Sequence, residues 1–408
     1  MQLLTSTQTD EDIERKFSRR ISMLRRSCVR DIMSQTGCGS KLINFAAGQP
    51  DPSLFPNKTI SRISADILAD AHEQPLQYSS TEGYAPLREF ITENFLGDMG
   101  IKASAEQIIL TNGSQQGLDL LGKVFCDPGD TLIMDAPTYM SAIQAFELYQ
   151  PRFRTLPIWE DGPEIAELRH ILRRGPAKFY YTISNFHNPT GVTASLGNRR
   201  QTAKLLNETG TLLIEDDPYG RLCFDEECRM PTITSLSNGK NCVMMGTFSK
   251  ILAPAFRVGW IFAAKEIISR LGVAKQAGDL CSNQFAQRIV WRFLKEHDIE
   301  SHIVSLCERY RQRRDWMIEC MAKFLPCEVH YKKPGGGMFI WAELPPHLSA
   351  TELLQRTLKH GIAFAPGASF FAETPIESSL RINFTYEDRQ NTKKGIRIIG
   401  EEIRKMLK

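Results

Sequence analysis

TLLIEDDPYG, residues 211–220, couples a run of β-prone aliphatic residues to a polar turn. Leu212–Ile214 lacks the in–out alternation of a half-exposed strand and reads as a strand buried on both faces. The turn that follows sets two carboxylates and a phenol, Asp216, Asp217 and Tyr219, at the strand's carboxyl end. Similar runs recur at QIILT (107–111), TLIMD (131–135), KFYYTIS (178–184), NCVMMG (241–246) and GWIFAA (259–264), with helical stretches between them. Buried strands alternating with helices predict an α/β architecture: a mostly parallel sheet sandwiched by helices.

Outward from this core the chain changes character. Its C-terminal part combines a long helical stretch around 285–325, the segment EVHYKKPGGGMFIWAEL (328–344), and TELLQRTLKHG (351–361), a helix ended by Gly361. Such a mixture predicts a smaller α+β domain. At the other end, Ile13, Phe17, Ile21, Leu24, Cys28 and Ile32 recur at three- or four-residue steps. They predict an amphipathic helix over 11–33, docked by that stripe, with its basic residues mostly off it. INFAAGQPDPSLFP (43–56) is a connecting segment rich in Gly and Pro. A chain of 408 residues exceeds what one core usually supports. The expected organisation is an N-terminal helix and segment over 1–57 packing with the small domain near the active site, a large domain over 58–290, and a small C-terminal domain over 291–408.

Composition excludes several function classes. The hydrophobic fraction of 42% and charged fraction of 24% are those of a soluble globular protein. A net charge of +3 does not by itself imply nucleic-acid binding. No apolar run approaches the roughly 20 residues of a membrane span. The opening MQLLTSTQTDEDIERKF carries acids where a targeting peptide is basic or apolar. Ten scattered cysteines form no C-x-x-C set, and eight histidines show no metal-ligand spacing. Reduced thiols, no metal and a cytoplasmic location follow as expectations.

In an open α/β sheet, ligands bind beyond the carboxyl ends of the strands, so the residues just after each apolar run are the site candidates. QIILT is followed by NGSQQG (112–117), a glycine turn in which Ser114 and Gln115 open a helix. Its N–H groups and dipole suit a phosphate, although many such turns merely connect. TLIMD leads to Tyr139, a ring that either stacks on a planar ligand or packs. KFYYTIS leads to NFHNPTG, where Asn188 is a ligand donor or bonds within its own turn. NCVMMG leads to TFSKILAPAFR (247–257), which holds Lys250 and Arg257 and no carboxylate. Each residue has a structural explanation. Their coincidence on one rim is better explained by a planar, phosphorylated nitrogen heterocycle bearing an aldehyde, pyridoxal 5'-phosphate.

AAGQPDPSLFP, LQYSSTEGYAPLREFI, TNGSQQGLDLL, DAPTY, NPTG, EDDPYG, TFSK with Arg257, GGGMFIW, APGASFF and LRINF follow in order over nearly the whole chain. This ordered set resembles the class I/II aminotransferases of fold type I, most closely the kynurenine/α-aminoadipate and LysN-type branch. The resemblance implies a role for each matching residue. Lys250 binds the cofactor covalently and moves the substrate proton. Asp216, three before Tyr219, pairs with the pyridine nitrogen, the spacing deciding against Asp217. Asn188 and Tyr219 donate to the phenolic oxygen, Tyr139 stacks on the ring, and Ser114, Gln115, Thr247, Ser249 and Arg257 cradle the phosphate. Tyr78 reaches the phosphate of a neighbouring subunit, implying a homodimer with shared sites. Arg381 binds the substrate α-carboxylate, with Gly48 and Asn188 beside it.

The expected reaction moves an α-amino group from an aromatic or α-aminoadipate/lysine-like amino acid to a 2-oxo acid, with 2-oxoglutarate as acceptor. The alternatives are elimination, replacement or cyclisation on the same fold, and a non-catalytic effector module of the MocR type. Too few residues precede the first motif for a DNA-binding head. Ala255 stands where the resembling loops carry glycine, and the triplet Gly335–Gly337 suggests a flexible approach to the site. His187, just before N-P-T-G, is a turn residue or a mark of specialised chemistry. Arg25 or Arg26 is a candidate for a distal substrate carboxylate.

Overall fold

The computed structural model describes residue 13 and residues 15–24, 42–70, 74–225 and 229–408. After β1 (Ile43–Asn44) come the strands of a large sheet. They are β2 (Ile108–Thr111), β3 (Thr131–Ala136), β4 (Arg152–Trp159), β5 (Gly162–Pro163), β6 (Phe179–Thr182), β7 (Leu212–Asp216), β8 (Cys242–Thr247) and β9 (Gly259–Phe262). Their spatial order is β2-β9-β8-β7-β6-β3-β4-β5. The pairs β3–β4, β3–β6, β6–β7 and β7–β8 are parallel.

The absence of in–out alternation in the central runs has a direct structural counterpart. Leu132, Met134, Phe179, Tyr181, Leu212 and Ile214 pack into one hydrophobic cluster, whereas Ile133, Tyr180 and Leu213 pack into another. Successive side chains point to opposite faces, so both faces must be apolar when helices cover both. The helices Gly113–Phe125 and Leu196–Thr209 are among those that cover them. β4 escaped the sequence reading because it lies toward the sheet edge and alternates polar with apolar residues.

One expected strand runs against the others. β9 is antiparallel to both β2 and β8. The link from β8 holds only a short helical turn, Pro254–Phe256, and a parallel return needs a longer crossover, usually a helix.

A second, antiparallel sheet is built from β10 (His330–Tyr331), β11 (Phe339–Glu343), β13 (Ala365–Pro366) and β14 (Ser379–Asn383), in the order β10-β11-β14-β13. The helices Ile299–Phe324 and Arg389–Met406 pack together beside it. β12 (Ile362–Ala363) pairs in parallel with β1, which ties the segment after residue 42 to this smaller unit.

Three local expectations are corrected. The stretch 285–325 is two helices, Gln284–Glu296 and Ile299–Phe324, because Asp298 caps the second through the N–H groups of Glu300 and Ser301. Near the N-terminus a helix spans Arg19–Met23, with turn at 15–16 and extended backbone at Leu24. Ile13, Phe17 and Ile21 are about half exposed, not docked. Arg25, Arg26, Cys28 and Ile32 lie outside the described residues. Within the glycine triplet, Gly336 and Gly337 serve close packing. A Cβ on Gly336 would come 2.3 Å from the Leu222 carbonyl, and Gly337 sits at φ +70° under Phe186. No helix among the described residues is long and apolar enough to cross a membrane.

Candidate active site

The carboxyl ends of β2, β3, β6, β7 and β8 deliver their residues to one cavity of about 430 Å³. Ser114, Gln115, Tyr139, Asn188, Asp216, Tyr219, Thr247, Ser249, Lys250 and Arg257 line it, joined by Gly48 and by Arg381 from β14. Thus every residue to which the resemblance gave a cofactor or substrate role lines it except Tyr78, which is 78% exposed on the surface. Asp217 turns away from this cavity, accepting from Asn185 Nδ2 at 3.1 Å and from Gly220 N at 2.9 Å. His187 is buried outside it, its Nδ1 3.0 Å from Thr190 Oγ1 and its Nε2 3.5 Å from Asp135. That is the bond of a turn residue.

Lys250 Nζ donates to the Gly48 carbonyl at 2.8 Å. Burial, reinforced by the charges of Arg381 and Arg257, pulls its pKa down to about 8. Asp216 Oδ2 accepts from Tyr181 Oη at 2.9 Å, and burial pushes its carboxyl up to about 7. Asn188 Nδ2 faces Tyr219 Oη at 3.4 Å.

Arg381 is buried between two rings, its guanidinium carbon 4.0 Å from the Phe339 centroid and 4.9 Å from that of Phe370. It donates to Asn188 Oδ1 at 2.7 Å and to the Ala46 carbonyl at 2.6 Å. Burial lowers its pKa to about 10, so it remains a cation at neutral pH. At the far end of the cavity, Thr247 Oγ1 donates to Ser249 Oγ at 3.0 Å. Arg257 adopts φ +52° and donates to the Asn112 carbonyl at 3.2 Å. Gly113 makes room for it, since a Cβ there would lie 2.5 Å from Arg257 Nη2.

The chemistry of this donor set fits pyridoxal 5'-phosphate. Asp216 Oδ1 is a buried acceptor without a partner, as a protonated ring nitrogen requires. Ser114 Oγ is buried without a partner beside Arg257 at a helix N-terminus, as a phosphate requires. Arg381 Nε is likewise unpaired, leaving a guanidinium edge for a carboxylate.

Residues missed in the sequence include Tyr181, Phe339 and Phe370. Tyr181 pairs in register with Ile214, two before Asp216. Its reach to that carboxylate depends on β6 and β7 being neighbours, which no local signal carries. The two phenylalanines act through their ring faces and bear no polar mark.

Comparison with known proteins places the chain in a class. The family model for aminotransferase class I and II matches residues 40–399, and the chain belongs to that family. It is a pyridoxal-phosphate-dependent aminotransferase of fold type I, acting between an amino acid and a 2-oxo acid. It is 37% identical over 402 residues to aromatic-amino-acid aminotransferase 1 of Thermococcus litoralis, covering 97% of this chain and 96% of that one. It is similar to kynurenine aminotransferase of Pyrococcus horikoshii in complex with PMP, with TM-score 0.93 and 37% identity over 98% of this chain and all of that one. It is also similar to LysN, the α-aminoadipate aminotransferase of Thermus thermophilus complexed with N-(5'-phosphopyridoxyl)-L-leucine. That likeness has TM-score 0.90 and 37% identity, covering 97% of this chain and 99% of that one.

Proposed function

We propose that this aminotransferase takes its amino group from a large amino acid, aromatic or α-aminoadipate/lysine-like, and passes it to 2-oxoglutarate. The observation that carries the site assignment is the sharing of one cavity by Lys250, with its depressed pKa, and Arg381, held between Phe339 and Phe370. The substrate range rests on the three similar proteins.

When bound, the cofactor supplies an electron-withdrawing ring that acidifies the substrate Cα–H. This chain's residues do the rest. Arg381 holds the α-carboxylate in a planar, two-point grip and so fixes the Cα–H bond. Lys250, once free as an amine, carries the proton from Cα. Asp216 would keep the ring nitrogen protonated, Tyr139 would cover the ring, and Asn188 and Tyr219 would donate to its phenolic oxygen. Ser114, Gln115, Thr247, Ser249 and Arg257, which line the same cavity, would hold the phosphate.

We place the working unit as a homodimer in the cytoplasm, with a large domain over 58–290 and a small one over 291–408. Tyr78 and Leu76 are 78% and 80% exposed, as suits a segment covered by a second copy and reaching its phosphate. The described cysteines are all free.

The test is a spectral screen of the purified enzyme with one amino acid at a time. Conversion of the bound cofactor to its amine form by aromatic or aminoadipate-type substrates, reversed by 2-oxoglutarate, is expected. Release of a leaving group without the amine form would point to elimination instead. Velocity sedimentation checks the dimer: a monomer at working concentration removes Tyr78 from the site.

A further inference from the structure

Asn112 occupies the N-cap of the Gly113–Phe125 helix, where an asparagine side chain ordinarily accepts from a free N–H of the first turn. Here it makes no such bond. Its Nδ2 donates instead to Asp279 Oδ2 at 2.7 Å. Gln116 Oε1 reaches back to accept from Asn112 N at 2.8 Å, and Gln116 Nε2 donates to the same Asp279 oxygen at 2.6 Å. Behind Asp279 stands Lys275, a fully buried lysine outside the catalytic cavity. Its ammonium lies 2.7 Å from both Asp279 oxygens and 2.8 Å from Ser282 Oγ.

A lysine–aspartate pair with its lysine buried and its aspartate part-exposed carries a desolvation cost and is weak evidence for stability by itself. What it holds is more telling. The Asn112 carbonyl accepts from Arg257, the cavity's cation at this end. With its amide drawn toward Asp279, Asn112 cannot cap the first turn, and the N–H groups near Ser114 keep no side-chain partner from it. An isolated Asp279 close to this helix end would oppose an anion, and the Lys275 charge cancels it.

We propose that the Lys275–Asp279 pair, working through Asn112 and Gln116, is a positioning device that anchors the start of this helix and so keeps Arg257, held on the Asn112 carbonyl, aimed for the cofactor's phosphate. Neither member of the pair lines the catalytic cavity. The inference rests on the assignment of Ser114, Gln115 and Arg257 as the phosphate cradle, and it adds the residues that set the cradle's geometry.

The experiment titrates the full-length, cofactor-free protein with pyridoxal 5'-phosphate and, separately, with pyridoxal, which lacks the phosphate. Loss of well-placed bonds to a charged group is worth about tenfold or more in affinity. Asp279→Asn and Asn112→Ala should therefore each weaken pyridoxal 5'-phosphate binding by about tenfold, with pyridoxal affinity unchanged. Inorganic phosphate should also compete less well in both variants. Equal losses for the two ligands, or no loss, overturn the proposal. Asn112→Ala leaves the Lys275–Asp279 pair intact and decides the matter even where Asp279→Asn does not fold. Arg257→Ala separates the two levels. If it fails to reduce the preference for the phosphorylated ligand, the cradle itself is misplaced and the parent assignment falls.

Discussion

Arg381 and Asn188 are bonded side chain to side chain, Nη1 to Oδ1 at 2.7 Å, across 193 positions of sequence. The same Asn188 amide turns its Nδ2 toward Tyr219 Oη at 3.4 Å. One amide therefore joins the arginine assigned to the substrate carboxylate with the phenol assigned to the cofactor. Asn188→Ala leaves a buried guanidinium N–H unpaired and frees the phenol. A charge-assisted bond contributes about 1.5–3 kcal/mol, so kcat/KM should fall by roughly 10- to 100-fold. Both the KM for the amino acid and the absorbance of the bound cofactor should move. Steady-state kinetics with an unchanged KM would count against the link.

Arg381→Lys keeps the charge but loses the planar fork and the stack between Phe339 and Phe370. The KM for amino acid and for 2-oxo acid should each rise by about tenfold or more. Cofactor affinity, measured by equilibrium titration, should change little. A parallel loss of cofactor would show that Arg381 serves the wrong molecule.

Lys250→Ala should abolish the absorbance band of the covalently held cofactor and the turnover with it. The phosphate contacts remain, so the variant should still bind the cofactor reversibly. Retention of the band in a reducing-agent trapping experiment would sink the assignment of Lys250.

Asp216 carries a testable pH dependence. Its carboxyl is raised from 3.8 to about 7 by burial, so the native state binds the proton more tightly than the unfolded chain. This contribution is fully present below pH 3.8 and is lost as the pH rises through about 7. Asp216→Asn removes the titration. The cofactor-free variant should therefore gain thermal stability over the parent at pH 8 and show less gain at pH 5, while binding the cofactor more weakly. Lys250 acts in another window. Its depressed pKa makes stability rise between about 8 and 10.5, so scans kept at or below pH 8 stay clear of most of its effect.

Much of the site was legible in the chain because a parallel sheet converts strand ends into a common rim. Asp216, Lys250 and Asn188 each follow an apolar run closely, and the period of the run shows where the strand stops. The ordered motifs then supplied roles that spacing alone left open, such as the choice of Asp216 over Asp217. Expectations failed where a local pattern had two structural solutions. Gly335–Gly337 could mean mobility or close approach, and contact with Leu222 and Phe186 decided it. The N-terminal apolar stripe was expected to dock, and its described members Ile13, Phe17 and Ile21 are about half exposed.

By itself the amino-acid sequence determined the α/β class, the six apolar strands of the large sheet, the lysine and its neighbours on the rim, because these depend on short-range periodicity and on motifs a few residues long. Only the tertiary structure decided the reversal of β9, the stacking of Arg381 between Phe339 and Phe370, the bond from Tyr181 to Asp216, and the Lys275–Asp279 pair behind Asn112. Each of those joins segments far apart in the chain. Such partners are chosen by sheet order and packing, which exist only once the whole fold has formed.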